Sequence, residues 1–303
     1  MFNNKRMFHR AVFLLTLMLA FSFAVCAAAS STEKGRVIVV TSFGTTYDDA
    51  RKDNIESVET AIKANFPDYE VRRAFTSKIV MKRLAERGII VSDLEQTLAT
   101  LKKEGYREVV VQTTHLTPGE EFDNKVMPVV NKHLQAKSFD KLVVGRPLLT
   151  YQGQNGQTDD FAVMANALKQ QLPVLQLPDR AVVFMGHGSP NRPSLVYGLL
   201  QERLTAAGLN AVIGVVEETD HPNFEDALAL LKEKGYKKVM LMPLMLVAGD
   251  HANNDMAGDE NDSWKSILQK EGFEVSTYLH GLGENKAVQD IYIQHVRDAI
   301  TGQ

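Results

Sequence analysis

The sequence predicts an α/β fold of two similar domains, each a four-stranded parallel sheet flanked by helices. Short apolar runs of strand length alternate with longer helical patterns, which is typical of parallel sheets whose faces are covered by helices. A hexapeptide also recurs: residues 101–106 (LKKEGY) return as residues 231–236 (LKEKGY), and each copy leads into an apolar strand pattern. The recurrence indicates an internal duplication of one α/β unit.

The first half is predicted to contain four strands, each followed by a helical pattern or a connection. The predicted strands are residues 36–42, 69–75, 108–114 and 141–145. The predicted helices are residues 48–65, 77–86, 92–104 and 121–135. Ser92, with Glu95 three residues later, predicts a capping box at the start of the third helix, and Gly105 predicts its end.

The second half repeats this order. Its predicted strands are residues 181–185, 211–216, 238–246 and 274–279. Its predicted helices are residues 194–207, 223–234, 259–271 and 285–300. The polar residues 152–158, followed by a helix that reaches residue 171, connect the halves. We therefore assign residues 36–172 to an N-terminal α/β domain and residues 179–303 to a C-terminal α/β domain.

The composition is that of a soluble globular protein with no affinity for nucleic acid. The chain has 303 residues, of which 44% are hydrophobic and 23% are charged, enough for two domains of ordinary size. A formal net charge of −3 gives no reason to expect a nucleic-acid partner. Oligomeric state is not fixed by the sequence, and a homo-oligomer stays open.

The N-terminus has the pattern of a bacterial export signal. Lys5, Arg6 and Arg10 precede an apolar stretch over residues 11–25, which is short for a membrane span, and small residues follow up to Ala29. We expect a signal peptide over residues 1–29, cleavage near Ala29, a periplasmic mature protein and no membrane span after cleavage. An uncleaved anchor helix is the alternative. Cleavage would remove the single cysteine, which excludes disulfides and thiolate metal ligands.

Histidine and glutamate residues follow three successive strands of the second half. His187 follows the first strand between two glycines, Glu217 and Glu218 follow the second, and His251 follows the third. Ligands of parallel sheets bind beyond the carboxyl ends of the strands, so we expect these groups to converge. Two imidazoles and a carboxylate suit cobalt, zinc, iron or nickel with open coordination positions, and they could also act as general bases. Loop histidines bonded to backbone and a solvated glutamate pair are the alternative.

The first half lacks these groups at the matching positions. Aligning the halves sets Phe43 against His187, Arg73 against Glu217 and Glu121 against His251. His115 ends a first-half strand and is expected to face a ligand. The asymmetry predicts one metal site per chain, built on the second half.

Several segments resemble the anaerobic cobalt chelatases, the sirohydrochlorin cobaltochelatases of the CbiK type. Residues 245–256 (MLVAGDHANNDM) are similar to the signature loop of that family. Residues 185–188 (MGHG) and 216–218 (VEE) are similar to its two other metal-ligand segments, and residues 37–44 and 110–115 to its first-half strands. The resemblance covers nearly all of the mature chain. It implies a class II chelatase (ferrochelatase-like) fold, in which two similar α/β domains have a cleft between them.

The resemblance also implies an activity and a site. The activity is a metal chelatase (lyase) reaction of tetrapyrrole (porphyrin) and cobalamin biosynthesis: ATP-independent insertion of Co²⁺, or of Fe²⁺ or another divalent metal, into sirohydrochlorin with removal of two pyrrole protons. By match, the metal ligands and catalytic residues are His187, Glu217 and His251, with His187 the leading acceptor of the pyrrole protons and Glu217 preferred to Glu218. The residues expected to bind the tetrapyrrole are His115, Phe43, Gly44 and Gly249.

The export signal departs from the cytoplasmic setting usual for cobalamin synthesis. A periplasmic protein that binds and carries metal, haem or another tetrapyrrole is therefore the alternative function, with an exposed imidazole able to hold an iron tetrapyrrole axially. A two-lobed solute receptor is a third reading, in which the histidines have no role. Cations expected to pair with tetrapyrrole carboxylates are Arg51, Lys52, Arg72, Arg73, Lys78 and Arg146.

Overall fold

Two four-stranded parallel sheets form the frame of the protein, which we describe from a computed structural model. The structure describes residues 34–172, 177–189 and 195–303. The first sheet has the strand order β2-β1-β3-β4, with β1 (Lys34–Ser42), β2 (Tyr69–Phe75), β3 (Tyr106–Thr113) and β4 (Lys141–Gly145). The second has the order β6-β5-β7-β8, with β5 (Arg180–Gly186), β6 (Ala211–Val215), β7 (Lys238–Pro243) and β8 (Glu274–Thr277). The predicted fold class is confirmed.

The central strands are apolar along their whole length because both of their faces are covered. In β1, Ile38 and Val40 face a core that contains residues of both halves, whereas Val37 and Val39 face the helices on the other side of the sheet. All four side chains are fully buried. Alternate residues of β5 divide between two cores in the same way. The continuous apolar runs in the sequence are thus explained by burial on both faces.

Nine helices flank the sheets in the described part of the chain. They are α1 (Ser57–Asn65), α2 (Lys78–Ala85), α3 (Leu94–Glu104), α4 (Met127–Gln135), α5 (Asp160–Gln171), α6 (Leu195–Ala206), α7 (Phe224–Lys234), α8 (Trp264–Lys270) and α9 (Lys286–Thr301), besides the short turn Asp48–Ala50 and the 3₁₀ turn Leu282–Glu284. Every helix within the described ranges is too short or too polar to cross a membrane.

Three π-helical segments of the described residues follow strand ends, two where the sequence predicts ordinary helix and one in a predicted loop. They are π1 (Arg51–Glu56), π2 (Phe122–Val126) and π3 (Ala252–Met256). The first two lie inside predicted helices, so only the type of helix differs. The third lies between a predicted strand that ends early, at Pro243, and a predicted helix that starts late, at Trp264. Because a π segment carries an extra residue per turn, it redirects side chains, and such segments often occur at functional sites.

The capping box predicted at Ser92 and Glu95 is wrong by one residue. Asp93 is the N-cap of α3: its carboxylate accepts from the Gln96 backbone N–H at 2.8 Å, and the Gln96 side chain accepts from the Asp93 backbone N–H at 3.2 Å. The Ser92 carbonyl instead accepts from the backbone N–H of Phe75 at 3.0 Å. This strand-like contact holds Ser92 outside the helix. Gly105 ends α3 in the left-handed conformation, as predicted.

The closing helix α9 belongs to the second half in sequence but packs on the first sheet and α1. A buried ion cluster fixes it there. The Arg146 guanidinium, just after β4, donates to Asp160 at 3.0 Å and to Asp298 of α9 at 2.5 Å. Burial opposes ionisation of Asp160, but hydrogen bonds from His295, Arg146 and the Tyr151 backbone lower its pKa to about 2. The assignment of residues 36–172 and 179–303 to separate domains stays a prediction.

Candidate active site

His187 follows β5 between two glycines that the local packing requires. A Cβ at Gly186 would lie 2.5 Å from Cε1 of Tyr197. Gly188 has φ +82°, which favours glycine, and a Cβ there would lie 2.9 Å from Cβ of Glu217. These close approaches fix the backbone on both sides of His187, and its side chain is exposed at the carboxyl edge of the second sheet.

Glu217 lies directly beside His187, on the loop after β6. Its backbone N–H donates to the carbonyl oxygen of His187 at 3.1 Å, so the two loops continue the pairing of β5 with β6. The Glu217 side chain is half-buried, whereas Glu218 is exposed. The preference for Glu217 over Glu218 as a ligand stays a prediction, but only Glu217 has its Cβ against Gly188.

His251 lies in the loop after β7, and its ring contacts the ring of His187. The centroids of the two imidazole rings are 5.1 Å apart, and the ring planes are 86° apart. His251 immediately precedes π3, and Asp255 in that segment binds its Nδ1. The structure therefore brings together two of the three predicted ligands through their side chains, and the third through the backbone.

Hydrogen bonds fix the same tautomer in both imidazoles. Nδ1 of His187 lies 3.1 Å from the carbonyl oxygen of Gly188, which can only accept, so this nitrogen carries the proton. The Asp255 carboxylate acts likewise on Nδ1 of His251. In the neutral rings the Nε2 lone pairs are then free to bind a metal or a proton. A carboxylate that orients a ligand histidine is a common feature around protein-bound metals.

The described residues contain no preformed group of three or more His, Cys, Asp or Glu side chains that could hold a metal. The site is a pair of imidazoles with one carboxylate residue adjacent, and not a closed cage. Such an open arrangement suits a metal that must be released to a second ligand. The ligand set His187, Glu217 and His251 stays a prediction.

Two buried residues that the sequence analysis did not single out hold the His187 loop. The Tyr197 hydroxyl accepts from the Gly188 backbone N–H at 3.3 Å, and burial raises the pKa of Tyr197 to about 12. The Asp220 carboxylate, fully buried, accepts from the backbone N–H groups of Ser189 at 2.9 Å and His221 at 2.8 Å. In the sequence, Asp220 looks like an ordinary turn residue two positions before Pro222, so no local pattern marks it.

Residues 36–301 of the chain match the family described as cobalt chelatase, CbiK. This chain belongs to the CbiK cobalt chelatase family. It is 37% identical over 266 residues to the sirohydrochlorin cobaltochelatase of Salmonella typhimurium, with 88% of this chain and 96% of that protein covered. It is 32% identical over 270 residues to the sirohydrochlorin cobaltochelatase CbiKC of Nitratidesulfovibrio vulgaris, with 89% and 92% covered. The family resemblance seen in the sequence is confirmed, and the chain is a metal chelatase.

Solved structures show the same chelatase fold at low sequence identity. SirB from Bacillus subtilis with Fe³⁺ superposes with a TM-score of 0.62 at 14% identity, covering 89% of this chain and 98% of SirB. A sirohydrochlorin chelatase SirB from Bacillus subtilis subspecies spizizenii, in complex with cobalt, gives a TM-score of 0.55, also at 14% identity, with 88% and 96% covered.

The first half of this cobalt chelatase presents an aromatic ring where the second presents an imidazole. Phe43 follows β1 and is 47% exposed, unusual for so large an apolar side chain. Gly44 has φ +96°, and a Cβ there would lie 2.6 Å from Cδ2 of Phe75. Packing against Phe75 thus requires glycine at position 44. Contact of Phe43 and Gly44 with a tetrapyrrole stays a prediction.

His115 lies in the loop after β3. Its Nδ1 is 2.5 Å from the hydroxyl of Thr113, and its Nε2 is buried without a hydrogen-bond partner among the described residues. Burial lowers the pKa of His115 to about 4, so the ring is neutral at pH 7. A neutral imidazole with an unsatisfied nitrogen is suited to a ligand contact, which stays a prediction.

The loops after β1 and β7 touch each other across the two halves of the chelatase. The Tyr47 hydroxyl donates to the Asp250 carboxylate at 3.1 Å, next to His251. Beside Asp250, the Gly249 carbonyl accepts from the backbone and side chain of Asn253, and a Cβ at Gly249 would meet no atom within 4 Å. The space above Gly249 is therefore open, as its predicted role in binding substrate requires.

Four of the cations expected to face substrate carboxylates are engaged by protein carboxylates. Arg51 binds Asp48 at 2.7 Å. Arg72 binds Glu70 and Glu104, and Arg73 binds Glu59. Arg146 lies in the buried cluster with Asp160 and Asp298. Arg146 in particular is held inside the fold and is not available to a substrate.

Proposed function

We propose that this chain inserts Co²⁺ into sirohydrochlorin without ATP and releases two pyrrole protons. Membership of the cobalt chelatase family supports the reaction class. The curated relatives named sirohydrochlorin cobaltochelatase support the substrate. The structural observation that carries the proposal is the contact of His187 with His251, in which both rings have Nδ1 bound and Nε2 free.

The reaction needs a weakly held metal and an acceptor for protons. His251 and His187 bind Co²⁺ through Nε2, and Glu217 completes the set by rotation of its own side chain. When the macrocycle lies over the site, the metal moves to the pyrrole nitrogens and leaves its protein ligands. Nε2 of His187 then accepts one pyrrole proton, and the Glu217 carboxylate accepts the second. Because imidazole binds metal only when it is neutral, proton uptake and metal release favour each other.

Two finer points belong to the same proposal. Co²⁺ is the substrate metal, and Fe²⁺ or another divalent metal competes with it, because an imidazole and carboxylate set selects weakly among these ions. We infer that the mature protein is periplasmic, on the basis of the export pattern over residues 1–29, which lie outside the described residues. Cell fractionation and N-terminal sequencing of the secreted form test this inference.

The proposed activity is tested with purified mature protein, sirohydrochlorin and Co²⁺, followed by absorbance. The proposal predicts metal insertion well above the spontaneous rate, which His187→Ala and His251→Ala abolish. His280→Ala is the matched control, because Nδ1 of His280 is also bound by a carboxylate four residues later, that of Glu284. Stoichiometric binding of tetrapyrrole or haem with no faster insertion would refute the enzyme and favour the carrier alternative.

A further inference from the structure

Two equivalent positions after the third strand of each half carry side chains of different charge. In the repeat alignment Glu121 corresponds to His251, and Lys125 therefore corresponds to Asp255. Glu121 and His251 each stand immediately before a π segment, π2 or π3. In each half the side chain at the first position binds the side chain four residues later: His251 binds Asp255, and Glu121 binds the Lys125 ammonium. The second half thus presents an imidazole, and the first half a cation.

The Lys125 ammonium lies against the exposed ring of Phe43. Its nitrogen is 6.0 Å from the ring centroid, and both side chains are close to half-exposed, 45% for Lys125 and 47% for Phe43. Phe43 itself corresponds to His187 in the repeat. The carboxyl edge of the first sheet therefore offers a flat apolar surface with a positive charge beside it.

Glu121 orients this cation. The Thr76 hydroxyl, itself buried, donates to one carboxylate oxygen of Glu121 at 2.9 Å, while Lys125 binds the other oxygen. A lysine ammonium has three N–H donors, so binding to Glu121 leaves donors for a further acceptor. The arrangement holds the charge in place and does not consume its hydrogen-bonding capacity.

We propose that Phe43 and Lys125 form a substrate subsite, in which the ring of Phe43 packs on the face of the tetrapyrrole and Lys125 binds one of its peripheral carboxylates. This inference rests on the proposed function, since it concerns the binding of the same substrate. A flat conjugated ring bearing carboxylates at its edge matches an exposed aromatic face with an adjacent ammonium. The Tyr47–Asp250 contact joins the loop of Phe43 to the loop of His251, so the subsite and the imidazole pair belong to the same site.

The subsite is tested by steady-state Co²⁺ insertion with sirohydrochlorin and Co²⁺ varied separately. An exposed ion pair contributes about 0.2–1 kcal/mol, so Lys125→Ala should raise KM for sirohydrochlorin by a factor of roughly 1.5 to 5. Lys125→Glu should raise it roughly tenfold or more through repulsion, and Lys125→Arg should restore it. KM for Co²⁺ and kcat should stay at wild-type values, because the imidazole pair is untouched. Lys132→Ala is the control: Lys132 is also exposed and binds a carboxylate, that of Glu95 at 2.6 Å.

Equilibrium binding separates failure of the subsite from failure of the proposed reaction. Fluorescence titration compares sirohydrochlorin with its fully methyl-esterified form. If the subsite exists, the protein should bind the acid form more tightly than the ester, and Lys125→Glu should reduce this preference, even if no metal is inserted. Lack of insertion by the wild type would refute the proposed function and not the subsite. If insertion proceeds but Lys125→Ala and Lys125→Glu keep the wild-type KM and preference, the subsite is refuted. Phe43→Leu, which keeps an apolar side chain, should weaken binding of both forms about equally.

Discussion

Replacing Asp255 with asparagine tests how the protein prepares His251 to bind metal. Asp255 holds Nδ1 of His251, so Nε2 faces outward with its lone pair. The asparagine oxygen can still accept this hydrogen bond, so the tautomer persists while the negative charge is lost. The change isolates the electrostatic part of the interaction from the geometric part.

The expected loss of Co²⁺ affinity follows from the strength of the His251–Asp255 hydrogen bond and the exposure of the two side chains. A hydrogen bond to a charged group contributes about 1.5–3 kcal/mol and a neutral one about 0.5–1.5 kcal/mol, a difference of about 1–1.5 kcal/mol. His251 and Asp255 are 39% and 48% exposed, and solvent screening reduces this difference to about 0.5–1 kcal/mol. Asp255→Asn should therefore weaken Co²⁺ binding about twofold to fivefold. Asp255→Ala also frees the ring and should weaken it by roughly 10-fold to 100-fold.

Competition with a chromophoric chelator gives the Co²⁺ affinity, and KM for Co²⁺ gives an independent reading. Glu284→Gln is the matched control, since Glu284 binds Nδ1 of His280 with the same spacing. Wild-type Co²⁺ affinity in both Asp255 variants would refute the claim that Asp255 prepares His251. An equal loss in Glu284→Gln would show that the effect is not local to the imidazole pair.

Three further predictions concern the loops and the frame. Gly188→Ala combines a left-handed φ with a 2.9 Å approach to Glu217, so it should cost about 2–4 kcal/mol and lower both Tm and insertion rate; unchanged Tm and rate would contradict the packing argument. Tyr47→Phe removes the bond between the loops and should raise KM for sirohydrochlorin about twofold to fivefold with little loss of stability, checked by kinetics and thermal unfolding. The pKa of Asp160 is lowered from 3.8 to about 2, so the Asp160 carboxylate adds about 2 kcal/mol to the free energy of unfolding above pH 4, and this contribution is lost as the pH falls toward 2. The free energies of unfolding of the wild type and Asp160→Asn, measured in urea, should therefore converge between pH 4 and pH 2. A difference that stays constant over this range would contradict the prediction.

The sequence predicted the strands well because burial on both faces leaves a strong pattern. β2 and β4 begin and end at the predicted residues, and the other strands differ at their ends. The largest error was β7, predicted to reach residue 246 but ending at Pro243. The next residues stay apolar because their side chains are packed: Leu244 is fully buried, and Met245 and Leu246 pack against the hydrophobic cores. An apolar run reports burial, and it does not report where a strand ends.

The positions of the site residues were predictable, and their contacts were not. Parallel strands end at one edge, so His187, Glu217 and His251 had to lie near each other once the strands were assigned. The ring contact of His187 with His251, and the bonds that set their tautomers, depend on π3 and on loop geometry that no sequence period encodes. The contacts of Asp255 and Asp220 were equally unpredictable. Each residue acts through a contact that only the fold creates, and in the sequence each looks like an ordinary surface acid.

The imidazole pair is tested as the metal site by Co²⁺ titration of the mature protein, paired with an assay of Co²⁺ insertion into sirohydrochlorin. We expect one Co²⁺ per chain with a ligand-field spectrum typical of nitrogen and oxygen ligands. We also expect the double variant His187→Ala with His251→Ala to lose both the bound Co²⁺ and the insertion activity, while His280→Ala keeps them. A double variant that binds Co²⁺ and inserts it at the wild-type rate would contradict the claim that the imidazole pair is the metal site.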